Sequence, residues 1–547
     1  MSSMAAVSAG KQLLQQDINA LPDGGKGFPT WVRIRGFRIG AVRPPCQTFG
    51  SSLQYGYNLW VVNHPFALIQ DFFNATSRAK RRENIQANFL NFLFTLTATI
   101  YSLGGLIGSL MVCPMADTCG RKGALMITNL LAVISAILMG FSTIVQAYEY
   151  TVFSRLISGV CSGIFSCAVP MYLAEIAPRN LRGATMTMAM IAVAVGVLVS
   201  QILSLREILG SKRGWPILLS FTGILAAFQL LVLPRFPESP RFLLIQKKNE
   251  EKARQVLRIL RDREDVEEEI DELHQEDISE LGEKEMNGLK LLTYEGLRWQ
   301  MISVIILMGG QQFTGVNAVY YYAEKIYKKT WLNKNEARYI SILSSVFVIF
   351  TLLVVTYTID TVGRRILILV GFSICSTLCV LLTITLELQA TTSWMPYVTS
   401  SFLFLFLIGH LLGPGPLPNV IIAELFLQSS RSTGVVLGGF IHWFLNFFTG
   451  VVVLHIEAKI GSYCFLLFWP FCIASFVFIF RTIPETKNKT FLEIRRLMAV
   501  QVAKKVHVQV PDDRLGPRSR LMRLNRKRRR KHRTIQPASF VPSVPSI

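Results

Sequence analysis

Apolar runs without a single Lys, Arg, Asp or Glu recur along the chain, at 89–113, 124–148, 156–174, 184–205, 214–234, 299–323, 339–359, 366–386, 394–423, 432–454 and 460–480. Each matches the roughly 20 residues a helix needs to cross ~30 Å of hydrocarbon, where only a helix or a closed barrel satisfies its own backbone. Eleven transmembrane helices follow. A twelfth candidate, 46–70, also lacks these four residue types, but it is polar, contains Pro65, and follows Arg33, Arg35, Arg38, Arg43 and Pro44-Pro45. With 51% apolar and only 17% charged residues, the chain is too greasy for a string of soluble domains, and a soluble enzyme is excluded.

The charges that remain are grouped. Residues 246–296 are rich in Lys, Glu, Arg and Asp, and Val256, Leu257 and Leu260 recur there at helical spacing, so a solvated helical linker is expected between two sets of spans. Placing it in the cytosol brings Arg121-Lys122, Arg179, Arg182, Arg364-Arg365, Arg431 and both termini to the same side, as the positive-inside rule requires. Arg78, Lys80 to Arg82, Lys325, Lys328, Lys329 and Lys334 run against it from outer loops. Asn74-Ala75-Thr76 then faces outward and fits an N-glycosylation acceptor. No signal-peptide pattern opens the chain, so the first helix is expected to direct insertion.

A net charge of +22 suggests nucleic acid, but eleven Lys/Arg and no acid fall between Arg514 and Arg533, so about half the excess sits in one tail. Anionic lipid is the partner that tail implies, and no nucleic acid is expected. The nine cysteines lie mostly inside spans, and the histidines are not clustered with thiols or carboxylates, so neither a disulfide framework nor a metal or other cofactor is indicated.

Three constellations occur twice. Asp117-Thr118-Cys119-Gly120-Arg121-Lys122 returns as Asp360-Thr361-Val362-Gly363-Arg364-Arg365; Glu175 with Arg182 returns as Glu424 with Arg431; Pro237-Glu238-Ser239 returns as Pro484-Glu485-Thr486. All three recur in the same order at nearly one offset, which argues for two homologous six-helix halves and counts the doubtful first span in by symmetry. Arginines on short glycine turns, with carboxylates at the ends of other helices, suit a gate of ion pairs that is made in one state and released in another. Anchoring of loops at the headgroups is the plainer reading of any single arginine.

No phosphate-binding GxxxxGK[ST] loop is present, and no Asp or Glu lies between Cys46 and Gln70, so neither ATP nor an intramembrane proton relay is expected to drive the chain. Gln311, Gln312, Thr314, Asn317 and Tyr320 to Tyr322 in the seventh span, and His442, Trp443 and Asn446 in the eleventh, place uncharged donors, acceptors and rings where packing alone needs none. Such a set suits a neutral polyhydroxyl solute, although interhelical hydrogen bonding explains any one of them. His410 joins them as a hydrogen-bonding residue. Gly309-Gly310 and the run Gly413, Pro414, Gly415, Pro416, Pro418 interrupt the seventh and tenth spans, as helices do where they line a cavity.

Over roughly residues 49–498 the chain resembles the facilitative hexose transporters of the sugar porter group within the major facilitator superfamily. The resemblance rests on the GRK and GRR loops, Arg155-Leu156-Ile157-Ser158-Gly159, Pro237-Glu238-Ser239-Pro240-Arg241, Gln311 to Asn317, Gly413-Pro414-Gly415-Pro416 and Pro484-Glu485-Thr486-Lys487. Residues 50–58, Phe236 to Lys248, Ile408-Gly409-His410, Glu424 to Arg431 and His442-Trp443 are most similar to the fructose-preferring type. The resemblance implies an all-α polytopic fold with twelve helices in two pseudo-symmetric halves, and a monomer that carries hexose by uniport across the plasma membrane. It implies a sugar site of Tyr55, Gln311, Gln312, Asn317, His410, His442 and Trp443, beside Asn446, and a cytosolic gate of Asp117, Arg121, Arg155, Glu175, Arg182, Asp360, Arg364, Glu424 and Arg431. The expected parts are an N-terminal segment 1–45, bundles 46–240 and 298–484, a linker 241–297 and a tail 485–547.

The chain departs from the pattern at Met190 and Val348, where the family carries sugar-contacting amides, and at Asn419, where glucose-selective members carry Trp. Met190 and Val348 open a second reading, a carrier of another small polar solute such as urate, a polyol or glucose, while Asn419 argues against a glucose-type pocket. Arg38 and Arg43 stand where the family's first span is apolar, at ~2.5–3.5 kcal/mol each if forced to a helix centre. Two expectations follow: a helix that starts near Cys46, or a non-transporting paralogue.

Overall fold

The computed structural model describes residues 39–63, 65–81, 86–280, 290, 294–319, 334–389, 391–392 and 394–509. Arg38, Tyr320 to Tyr322, Lys325 to Lys329 and the basic cluster Arg514–Arg533 lie outside them.

The first span differs from the expected 46–70. Helix α1 (Ile39–Trp60) starts upstream of Cys46 and runs through Arg43-Pro44-Pro45; proline's φ of about −65° is compatible with a helix, although each proline forgoes the amide hydrogen bond to the preceding turn. It stops at Trp60, where the chain turns through a bond from the Asn63 amide to the Trp60 carbonyl, and restarts after Pro65 as α2 (Phe66–Arg81). The expected first outer loop is therefore partly helical: Asn74 and Arg78 lie on α2.

Helix α3 (Ala87–Ile144) is two spans joined at Gly120, whose φ of 80° breaks the helix. Then come α4 (Tyr148–Ile176), α5 (Arg182–Leu203), and the sixth span as α6 (Trp215–Ser220) and α7 (Thr222–Val232). The linker holds α8 (Glu250–Arg261) and α9 (Glu267–Ser279). It is not simply solvated: Ala253, Leu257, Ile270 and Leu273 bury with Leu244 and Ile245 in a small core of their own.

The second set comprises α10 (Arg298–Gln312), α11 (Lys334–Val362), α12 (Arg364–Leu388), α13 (Met395–Leu412), α14 (Leu417–Leu425), α15 (Gln428–Ile460) and α16 (Cys464–Thr482), followed by α17 (Phe491–Gln509). Among the described residues nine helical stretches are long and apolar enough to cross a membrane; one of them, Thr95–Ile144, is a folded pair, and α1 and α15 bring the passes to twelve. The chain is a multi-pass membrane protein. Helix α1 packs on α5 and α3 on α4; α12 packs on α13 and α16. The two sets meet where α5 lies against α11 and where α15 lies against α3 and α4. Residues 1–495 form one unit and Arg496–Ile547 another.

Candidate functional site

A cavity lies between the two sets of spans. Its lining includes Tyr55 of α1, Ser166 of α4 and Met190 of α5 from the first set, and Gln311 of α10, Asn419 of α14 and His442 of α15 from the second. No described lining residue is a carboxylate, lysine or arginine.

Broken helices position the polar groups. Helix α10 ends at Gln312, and Gly315 turns the chain at φ +90°, a conformation that favours glycine; a Cβ there would also stand 2.8 Å from Phe468. The break between α13 and α14 frees the Gly415 carbonyl, which accepts from Gln311 Nε2 at 2.5 Å. Thr314 Oγ1 reaches His410 Nδ1 at 3.1 Å and donates to the Gln311 carbonyl. His442 Nδ1 is 2.9 Å from both Gln311 Oε1 and Gln312 Nε2. One ring nitrogen serves only one of them at a time, as donor to Gln311 or acceptor from Gln312. Gln312 Oε1 is buried without a partner.

Of the residues implied for the site, Tyr55, Gln311 and His442 line the cavity, and Gln312 touches it through His442. The others are engaged behind it. Asn317 donates to Thr449 Oγ1 at 2.7 Å, Asn446 accepts from Ser102 at 3.3 Å, and His410 is held by Thr314. Trp443 is fully buried. Its Nε1 donates to Ser166 at 3.1 Å, and its ring meets Tyr55 and Tyr101 edge-on at 5.9 and 5.7 Å.

The second assembly lies at the ends of α4 and α14. Arg121 pairs with Glu175 at 3.1 Å, and Arg364 pairs with Glu424 at 3.1 Å and Asp360 at 2.8 Å. Contacts cross between the two sets. Arg431 reaches Glu175 at 3.3 Å, Asp117 accepts from Ser432 at 3.2 Å, and Asp360 accepts from the Ala184 amide at 2.8 Å. Arg121, Glu175, Arg364, Glu424 and Arg431 are almost wholly buried, so removing one partner of such a pair costs ~3–5 kcal/mol even though the intact pair adds little.

The repeated Gly-Arg turns have a steric cause. Gly120 and Gly363 take φ of +80° and +106°, and a Cβ would stand 2.4 Å from Glu238 Oε2 or 2.7 Å from Glu485 Oε2. Glu238 accepts the Arg121 and Lys122 amides, and Glu485 the Arg364 and Arg365 amides, at 3.0–3.1 Å. Both carboxylates thus cap a helix N-terminus from another part of the chain. The linker joins in: Glu276 and Glu280 accept the Gln428 and Ser429 amides at 3.1 Å, and Arg241 pairs with Glu276. Burial opposes ionisation of Glu272, but Arg241 and Arg179 outweigh it and hold its carboxyl below the usual range.

The family described as "Sugar (and other) transporter" matches residues 45–498. The chain belongs to this family. The rat protein described as solute carrier family 2, facilitated glucose transporter member 5, is 46% identical over 451 residues, covering 82% of this chain and 90% of its own. The human protein of the same description is 45% identical over 450 residues, with the same coverage. Human member 7 is 43% identical over 465 residues, covering 85% of this chain and 90% of its own. The proton:xylose symporter XylE, solved with 6-bromo-6-deoxy-D-glucose, matches with a TM-score of 0.74 at 21% identity over 84% of this chain and 99% of that one; the likeness is one of fold.

Arg155 corrects the gate assignment for this sugar transporter family member. It stands twenty residues before Glu175 on α4, about 30 Å along the helix. Its guanidinium donates twice to the Asn58 carbonyl, at 3.2 and 3.3 Å, and lies 4.5 Å over the Tyr101 ring. Helix direction is the reason: α4 carries Arg155 near its start and Glu175 at its end. Arg182 is close to the ion pairs but makes none of them, and its guanidinium lies over Phe491. Glu238, Glu276, Glu485 and Phe491 were not singled out as gate residues by sequence reasoning; the repeated Pro-Glu pair was the available signal for two of them.

Proposed function

We propose that the chain is a facilitative carrier of a hexose, fructose first, working as a uniporter by alternating access in the plasma membrane with the linker and both termini in the cytosol. The observation that carries the reading is the uncharged chamber fed by both sets of spans, with Gln312 Oε1 left as a buried acceptor beside it. Sugar hydroxyls donate and accept, so they match amide, imidazole and phenol groups without a counter-ion. The cross-set pairs at Glu175, Asp117 and Asp360 serve as the cytosolic gate, closed in this arrangement. Uniport is supported by the lack of any Asp or Glu in 46–70 and in the described chamber lining, where a proton-coupled carrier would need a relay acid. Asn74 is the proposed glycosylation acceptor; loss of a glycosidase-sensitive band in Asn74→Gln tests it.

Met190 on the cavity wall favours a second reading, a carrier of another small polar solute such as urate. Counterflow of labelled fructose, glucose and urate in proteoliposomes separates the two. Saturable fructose counterflow is expected; urate flux without fructose flux overturns the first reading.

A further inference from the structure

The two sets of spans touch along two helix pairs, and each pair is fastened on both sides of the chamber. Where α5 lies against α11, Asp360 accepts the Ala184 amide at 2.8 Å; seventeen residues further along α5, Gln201 Oε1 accepts from Ser345 Oγ, also at 2.8 Å. Where α3 lies against α15, Asp117 accepts from Ser432 at 3.2 Å and Asn446 Oδ1 accepts from Ser102 Oγ at 3.3 Å. At 1.5 Å per residue the two fastenings of each helix pair stand roughly 20–25 Å apart. Chamber-lining residues fall between them: Ala189, Met190 and Val193 on α5, Gly439 and His442 on α15.

The two serines are a repeat of their own. Ser102 stands fifteen residues before Asp117, and Ser345 fifteen before Asp360, so the same position of each half carries a hydroxyl. Each hydroxyl donates to an amide oxygen of the opposite set. Gln201 follows Arg182 by nineteen residues and Asn446 follows Arg431 by fifteen, a difference of about one turn that keeps both amides on matching faces. Gln201 and Ser345 are both buried, and the stretch between them and the inner end is apolar: Met190, Ile191 and Ala194 of α5 pack with Val348, Ile349 and Leu352 of α11. Inner fastenings use a carboxylate, and the outer ones join neutral groups, which bond about half as strongly.

We infer that Ser345 and Gln201, with their repeat twins Ser102 and Asn446, form the outer clasp of the chamber, a neutral hydrogen bond that parts when the two sets open to the outside. Tilting them apart on that side breaks the neutral bonds and leaves the carboxylate-held inner end fastened. Outward opening is then the easier of the two, and the Ser345 hydroxyl sets how often it happens. The inference rests on the alternating-access reading above.

Val193 provides a reporter, because it lies on the chamber wall between the two fastenings of α5. Cys167 also lines the chamber, so the parent for the test carries Cys167→Ser with Val193→Cys. Labelling of intact cells by a membrane-impermeant methanethiosulfonate, normalised to protein at the cell surface, then reads opening to the outside. Labelling several-fold faster than the parent is expected for Ser345→Ala and for Gln201→Met, with no further gain when the two are combined. Ser345→Thr keeps the hydroxyl and should label at the parent rate. A rate no faster than the parent's in either single variant, a fast rate in Ser345→Thr, or gains that multiply in the double variant mean that the pair is ordinary packing and overturn the inference. The labelling needs no solute, so it reads the clasp separately from the counterflow that tests the cargo.

Discussion

Met190 reaches the chamber wall from α5, half-buried, beside the polar groups of α10 and α15. It cannot hydrogen-bond a sugar hydroxyl as an amide would, and a net hydrogen bond is worth ~1 kcal/mol. Met190→Gln is therefore expected to lower the fructose KM about fivefold in counterflow, with Vmax little changed. Gly105 acts through what it lacks: a Cβ there would fall 2.3 Å from the Trp443 indole, which lies flat against the α3 backbone. Gly105→Ala forces the ring off its seat between Tyr55 and Tyr101, at ~1–3 kcal/mol of overpacking. A lowered melting temperature together with lost counterflow is the expected result, and wild-type values for both would show that the seat is slack.

At the level of elements, the start of α15 is held from several directions at once: by Glu175 through Arg431, by Asp117 through Ser432, and by the linker carboxylates on its first amides. Arg431→Gln leaves Glu276 and Glu175 each one partner short. Melting several degrees below wild type is expected, because one member of a buried ionic group is gone while its partners remain. The linker has its own pH signature. Glu272 ionises more readily in the folded protein than in the unfolded chain, so its contribution is fully present above about pH 4.3 and is lost as pH falls through its lower folded value. Thermal melting between about pH 5 and pH 3 should therefore fall more steeply for wild type than for Glu272→Gln.

For the whole molecule, the described chamber lining offers no carboxylate and α1 carries no Asp or Glu that could relay a proton. Initial fructose uptake should be unchanged when an imposed proton gradient is collapsed with an ionophore; a several-fold fall would overturn uniport. The fold was largely legible in the chain, because hydrocarbon demands uninterrupted apolar helices and the second to twelfth spans state their length directly. The first span was misplaced at both ends, since Arg43 and two prolines read as a boundary while the backbone stays helical through them.

Patterns that depend on one residue type in one place could be read from the chain alone: the membrane-spanning class, the duplicated Gly-Arg turns, the amide- and ring-rich seventh and eleventh spans, and the missing acid in the first. Partnership could not. Whether Arg155 belongs with Glu175 or at the other end of its helix, whether Trp443 faces the chamber or an interlocking seat on Gly105, and which of two equivalent arginines crosses to the opposite set all depend on how helices remote in sequence lie against one another. Spacing along a chain sets which face of a helix a side chain occupies; only packing decides what meets that face.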